Sequence, residues 1–314
     1  MKRTIYSVLL FLGFIFFSSY TSGSEQETLT FKSVGSSEQI QATLIKPIGE
    51  GPFPAVVIMH DCSGVGPRSS GAPMRWAKEL VPQGYVAVIP DSFTPRGFAD
   101  GVCTVPGDQA KVVNGFVRAG DAYGALAALR KLPYVDSKHI GIMGGSHGGW
   151  TTLAAMCASI HEKDPLADSK RQGFTAAIAL YPNCGARYGD WTTVRQNKNF
   201  GPVVSHSGVY KPIAPVLILT GEKDDWTPAE DCRQMVEVSR KAGFPLSITV
   251  YPDAYHYFDS PAPVRFEPRR TNISSATGKG ATTGGNSAAW SDAKKQVASF
   301  FAEHLKPSHP EEAR

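Results

Sequence analysis

Short apolar runs recur along the chain, each a few residues long and closed by glycine, proline or aspartate. Pro54 to Met59, Tyr85 to Ile89 and Val216 to Thr220 have this form, and Ile140-Gly141-Ile142-Met143 is a shorter case. Runs without polar alternation suit parallel strands that are covered on both faces. Leu29 to Lys32 and Ile40 to Lys46 come before them and read as an antiparallel pair, and Ser247 to Tyr251 reads as a late strand. Between these runs, Met74 to Val81, Ala119 to Leu132, Ala229 to Ala242 and Ser287 to Leu305 place apolar residues at helical spacing. An Ala-rich segment, Thr151 to Ile160, predicts one more helix. Strands that alternate with helices predict an α/β fold: a mostly parallel twisted sheet with helices on both faces and active residues on loops beyond the strand carboxyl ends. The stretch from Pro261 to Asn286 is rich in Pro, Arg, Thr, Ser and Gly, and reads as a long exposed loop, either a mobile surface excursion or a segment that covers or borders the pocket.

A length of 314 residues suits one large α/β unit, and no internal repeat or second core is visible. The first residues stand apart. Lys2 and Arg3 precede an apolar run from Ile5 to Phe17, followed by the small and polar residues Ser18 to Ser24. This is the build of a signal peptide, residues 1–23, with cleavage expected after Gly23 and a single domain over 24–314. The run is shorter than the roughly 20 residues that span a bilayer, so no stable membrane span is expected once the leader is removed. No cysteine follows the run, which argues against lipid attachment. Export to the periplasm or beyond is the expected destination.

An exported chain with five cysteines has room for two disulfides and one thiol. Cys62 and Cys103 both fall on loops at the expected active end, and Cys184 follows a strand expected to neighbour the one that leads to Cys232. Pairings of Cys62 with Cys103 and of Cys184 with Cys232 are therefore predicted, with Cys157 left as a buried small apolar residue. The formal net charge of +4 includes the leader's Lys2 and Arg3. So mild an excess does not point to nucleic acid. Arg265, Arg269 and Arg270 form a local basic cluster, read as a solvated face or as an attractor for an anionic surface or substrate. Asn272-Ile273-Ser274 is a glycosylation sequon if the host is a eukaryote.

The chemistry is concentrated after the Ile140 run, where Gly144-Gly145-Ser146-His147-Gly148 forms a G-x-S-x-G turn between strand and helix. Such a turn exposes a serine hydroxyl and aims the first backbone N–H groups of the helix at any anion that forms on it. A phosphate-binding turn is the competing reading, and no G-x-x-x-x-G-K-[ST] string supports it. A nucleophilic serine needs a base and a carboxylate that orients the base. Gly221-Glu222-Lys223-Asp224-Asp225 follows the Val216 strand, and Pro252-Asp253-Ala254-Tyr255-His256 follows the Ser247 strand. Taken alone, His256 reads as a satisfied loop histidine, and either aspartate as a cap of the helix starting near Thr227-Pro228. Serine, acid and histidine in that chain order, each beyond a strand of one sheet, is the arrangement of α/β-hydrolases.

Met59-His60-Asp61-Cys62-Ser63-Gly64, Pro90 to Gly97, Gly144 to Gly149, Gly221 to Pro228 and Tyr251 to Asp259 together resemble the dienelactone hydrolase family of that superfamily, over about Thr28 to Leu305. The resemblance implies an esterase-type hydrolase with no cofactor and a small-molecule ester substrate. It makes Ser146 the nucleophile, Asp224 the acid and His256 the base. Asp224 is preferred over Asp225 because the family's G-x-x-D-x-x-x-P spacing falls on Gly221, Asp224 and Pro228, and Asp225 stays as the second choice. The backbone N–H groups of Cys62 and His147 become the oxyanion donors.

Two departures bear on substrate. The founding enzymes use cysteine at the elbow, and they place an arginine four residues after the histidine, where this chain has Ser260. A neutral ester is therefore expected, with Arg96 as the candidate cation and Trp150 and Trp226 as candidate substrate-binding aromatics. Tyr181, Trp191, Tyr255 and Tyr257 are further aromatics near the expected active end. Cys62 is rejected as nucleophile because it is on the oxyanion loop. Metal binding through His60 and Asp61 is disfavoured because no ligand pair has tight spacing. His139, His161, His206, His304 and His309 read as surface or loop residues. A non-catalytic binding protein and an acyltransferase or peptidase on the same scaffold are the alternative functions.

Overall fold

The protein is described by a computed structural model over residues 24–158, 164–198 and 201–306. The leader, Ile160, His161 and His309 lie outside the described residues. In chain order the elements are β1 (Ser24–Lys32), β2 (Gln39–Pro47), β3 (Phe53–Met59), α1 (Ala72–Leu80), β4 (Val86–Pro90), α2 (Gly115–Leu129) and β5 (Val135–Gly145). There follow α3 (His147–Met156), α4 (Ala167–Arg171), β6 (Ala177–Leu180), β7 (Thr192–Lys198), β8 (Gly201–Ser207) and β9 (Val216–Gly221). The chain continues with α5 (Ala229–Lys241), β10 (Leu246–Tyr251), β11 (Arg265–Thr271), β12 (Lys279–Thr283) and α6 (Ser287–Leu305).

Eight strands form one sheet in the order β1-β2-β4-β3-β5-β6-β9-β10. The β1–β2 and β2–β4 pairs are antiparallel, and every pair from β4 to β10 is parallel. Alternate residues of β3 face opposite layers. Ala55, Val57 and Met59 join a core with α2, α3 and α5, whereas Val56 and Ile58 join a second core with α1 and α6. Full burial of a Val or Ile side chain contributes about 1.5–3 kcal/mol, and this two-sided burial is why the central strands read as unbroken apolar runs.

The expected helices α1, α2, α5 and α6 are present with small shifts at their ends. The helix expected from Thr151 begins instead at His147, because Gly148 and Gly149 are needed for close packing and continue the helix. The long exposed loop expected after Pro261 is in large part an antiparallel hairpin, β11 with β12. Asn272 within it is buried, and its Nδ2 donates to the carbonyls of Asp225 and Gly280 at 3.0 and 2.7 Å, so the sequon is not a free acceptor. A second hairpin, β7 with β8, was not expected. Cys62 is bonded to Cys103 and Cys184 to Cys232, and Cys157 is a buried free thiol. No helix among the described residues is long and apolar enough to cross a membrane.

Candidate active site

The carboxyl ends of β3, β5, β9 and β10 converge on one place. Ser146 follows β5 directly, with φ 55° and ψ −116°, a conformation that L-residues rarely hold. The turn is locked by its surroundings. Ser146 N donates to the Leu180 carbonyl of β6 at 2.9 Å. A Cβ on Gly148 would stand 2.0 Å from the Met59 carbonyl oxygen, so only glycine lets α3 approach the end of β3 this closely. Cys62, on the loop after β3, and His147, the first residue of α3, line one cavity with Ser146.

Asp224 stands on the loop after β9, and His256 on the loop after β10. His256 Nε2 is 2.9 Å from Ser146 Oγ, and its Nδ1 is 2.7 Å from Asp224 Oδ2. All three residues are buried or nearly so, with Ser146 the most open at 9%. The other carboxylate oxygen of Asp224 accepts from the backbone N–H groups of Trp226 and Thr227 at 2.9 and 2.8 Å. Asp225 turns the opposite way: its carboxylate accepts from Thr282 N and Thr282 Oγ1 of β12, both at 2.7 Å. The imidazole of His256 is clasped by Tyr181 and Trp226, each with ring centroids 4.8 Å away. Below it, the buried Asp259 accepts from Tyr181 Oη at 2.7 Å and Trp76 Nε1 at 2.8 Å. Burial raises the Asp259 carboxyl above its ordinary value, against the pull of both donors and of Arg75.

Arg118 of α2 ties the two sides of the site together. Its guanidinium donates to the His60 carbonyl at 2.7 Å and to His147 Nδ1 at 2.6 Å. Complete burial draws this guanidinium down to about 9, opposed by Asp121 and Asp61. The same burial, with the charge of Arg118 nearby, holds His60 and His147 well below the ordinary histidine range. His60 Nδ1 donates to the Asp61 carbonyl at 2.8 Å, and its Nε2 accepts from Ser92 N at 3.3 Å, an arrangement that suits neutral imidazole. Neither these histidines nor Arg118 was singled out for this role from the sequence. A cation inside an otherwise apolar helix, with Asp121 three residues on, was the available signal.

From residue 40 to residue 305 the chain matches the dienelactone hydrolase family profile. The chain belongs to the dienelactone hydrolase family. A protein of Yersinia pestis provisionally named a carboxymethylenebutenolidase is 28% identical over 251 residues, covering 77% of this chain and 82% of the relative. Dipeptidyl-peptidase 5 of Porphyromonas gingivalis is 24% identical over 223 residues, 67% of this chain but 31% of the peptidase. Among solved structures, a dienelactone hydrolase-like promiscuous phosphotriesterase from metagenomic libraries superposes with a TM-score of 0.59 at 17% identity, covering 90% of this chain and 99% of that one. Thermogutta terrifontis esterase 2 gives 0.56 at 19%, with 90% and 96% covered. The structural likenesses show the α/β-hydrolase fold. Family and relatives together make this dienelactone hydrolase family member a hydrolase acting on ester bonds.

In this family member Arg96 does not serve as the cation of the cavity. Its guanidinium is spent on a two-point pair with the buried Asp121, both bonds 2.8 Å, and on the Ser92 carbonyl at 2.7 Å. It braces the loop after β4 against α2. Arg75, Arg265 and Arg270 line a cavity of about 330 Å³ with Asp61, Ser146, His256 and Tyr257; Arg75 also donates to the carbonyls of Ser70 and Asp259, and Arg265 pairs with Glu267. The sequence leaves Arg265 and Arg270 as a solvated face or an attractor of anions; β11 carries both, and both line this cavity. Trp226 lines the same cavity, and Trp150 lines a neighbouring one. Trp191 is instead a core residue, stacked at 5.4 Å on His206, which is itself partly buried and bonded to Asp231 at 2.8 Å. Asp61, Cys62 and Cys103 place potential ligand atoms within 4.8 Å of one another, but the disulfide consumes both sulfurs.

Proposed function

We propose that this protein is a serine carboxylesterase in which Ser146, His256 and Asp224 act as a catalytic triad. The observation that carries the reading is the unbroken path from Ser146 Oγ to His256 Nε2 at 2.9 Å and from His256 Nδ1 to Asp224 Oδ2 at 2.7 Å. His256 takes the hydroxyl proton as Oγ bonds to the ester carbonyl carbon. Asp224 holds the Nδ1–H tautomer and stabilises the imidazolium. The oxyanion lies at the backbone N–H groups of Cys62 and His147, each contributing about 3 kcal/mol in the transition state. His256 then passes its proton to the leaving oxygen as the carbon–oxygen bond breaks. Water, activated by the same imidazole, releases the acid and restores Ser146.

The sequence favours a neutral ester; Arg270, in the cavity wall with His256, supports instead an alcohol portion that carries negative charge. The leader's composition, together with two disulfide bonds of the kind an oxidising compartment sustains, supports export with cleavage after Gly23. N-terminal sequencing of the mature protein tests that step.

The central experiment is turnover of nitrophenyl esters and labelling by a fluorophosphonate, comparing the wild type with Ser146→Ala. Turnover and labelling that both vanish in the variant support the triad. A folded wild type that does neither moves a binding role ahead. Product analysis with an added alcohol or amine separates hydrolysis from acyl transfer.

A further inference from the structure

Two cavities meet at Ser146, and their walls differ in chemistry. The first, about 330 Å³, contains His256, Tyr257, Arg75 and Arg270. The second, about 250 Å³, has Val102, Val105, Ala110, Trp150 and Ile273 in its wall beside the neutral amides Asn114 and Asn183. No aspartate, glutamate, lysine or arginine lines this second cavity. Cys62, Cys103, Ser146 and Trp226 belong to both walls, so the two cavities adjoin at the nucleophile, the disulfide and one indole.

The direction of proton transfer decides which half of an ester takes which side. His256 must reach the leaving oxygen to protonate it, so the alcohol portion has to lie where His256 is in the wall. His256 lines the first cavity and is absent from the wall of the second. The carbonyl substituent then has the second cavity open to it, beside His147, whose N–H is one of the oxyanion donors. We infer that the Val102–Val105–Trp150 cavity is an acyl pocket and that the substrates are esters of an uncharged, apolar acyl group; this rests on the esterase reading above.

The pocket wall is built to a fixed depth. The Trp150 ring lies against the bare Cα of Gly115, where a Cβ would meet ring atoms at 2.6–2.7 Å. Phe116 meets the same indole edge-on at 6.0 Å, and His147 meets it at 5.2 Å. An indole held from three sides cannot swing away to admit a longer chain. Acyl selectivity is therefore expected to rise with chain length and then fall sharply where the chain reaches Trp150. Before that limit each added methylene is worth roughly fourfold in kcat/KM, from the transfer of one CH₂ out of water.

The test uses the mature protein with nitrophenyl acetate, butanoate, hexanoate and octanoate. Trp150→Ala deepens the pocket and should raise the octanoate-to-acetate ratio of kcat/KM at least tenfold. Val105→Trp fills it and should lower that ratio by a similar factor. A parallel series of acetates of lengthening alcohols should show no corresponding shift in either variant. The two substitutions act in opposite directions, so one that fails to fold leaves the other to decide. An enzyme that is active and Ser146-dependent, but whose acyl profile ignores both changes or whose alcohol profile moves instead, overturns the acyl pocket and leaves the esterase reading standing. A folded wild type without turnover or labelling overturns the esterase reading itself.

Discussion

At the scale of the residue, the site stores strain where the chemistry is proposed to occur. Ser146 at φ 55° and ψ −116° sits near the mirror image of an extended backbone, a region open to glycine alone without penalty. Strain of this kind costs about 1–3 kcal/mol. Ser146→Gly and Ser146→Ala should both abolish turnover, yet the glycine variant should be the more stable by about 1 kcal/mol in urea unfolding. Equal stabilities would mean that the turn relaxes at no cost. Arg118 carries a second expectation. Arg118→Met removes the donors to the His60 carbonyl and to His147 Nδ1, which join the two backbone segments of the proposed oxyanion hole. Turnover should fall by roughly 10- to 100-fold, a fraction of what an oxyanion donor is worth, with a smaller change in KM. Arg118→Lys, able to serve one of the two acceptors, should recover part of the loss. A variant that changes only KM would place Arg118 outside the machinery.

Among the elements, the β11–β12 hairpin separates the roles of two neighbouring aspartates. Asp225 holds it through Thr282, Trp226 Nε1 donates to the Thr271 carbonyl at 2.8 Å, and Thr271 N donates to the Cys103 carbonyl at 3.0 Å. Asp225→Ala should loosen the hairpin, raising KM several-fold for esters with an anionic alcohol and quickening proteolysis near Arg269 and Arg270. Asp224→Ala should instead cut kcat by about 10⁴, since the imidazole loses its tautomer. Reversed effects would exchange the two assignments. The hairpin also shows what the sequence does not display. Neither β11 nor β12 has an apolar face that alternates with a polar one, because the pair is held by side-chain and backbone bonds to loops and not by a sheet core. The central strands were legible because burial on both faces demands unbroken apolar runs. The order of serine, acid and histidine could be read because Ser146 and Asp224 follow such strands and His256 follows the edge strand β10, whose β-branched residues mark it in the sequence. Arg96 was misread for the opposite reason: its partner, Asp121, lies 25 positions away on a helix, and no local spacing records that pairing.

For the whole molecule, the neutral histidines between sheet and α2 set a limit on acid tolerance. His60 is fully buried and His147 partly so, and desolvation together with Arg118 holds both folded-state values well below 6.5. In the unfolded chain they titrate near 6.5. At pH above that value neither state binds the protons, and the full stability is present. As pH falls below 6.5, the unfolded chain takes up two protons that the folded protein refuses, so stability is lost. Each proton contributes up to about 1.4 kcal/mol per pH unit, giving a combined slope approaching 2.7 kcal/mol per unit. The carboxylates with lowered values, Asp136, Glu222, Glu237 and Asp253, add losses only at lower pH, near and below the ordinary carboxylate range. Asp259, whose folded value burial raises, works in the opposite sense as pH falls, so the His60 variant is what separates the histidine contribution in the window from pH 6.5 to 5. Urea unfolding across it should show stability falling steeply in the wild type and about half as steeply in His60→Gln, whose amide can keep one of the two ring contacts without titrating. A profile that is flat in the wild type would mean that water reaches these rings or that Arg118 moves away from them. Because Arg118 spans His60 and His147, opening of this cluster would also separate the two segments that carry the proposed oxyanion donors. Turnover and stability are thus expected to decline together below pH 6.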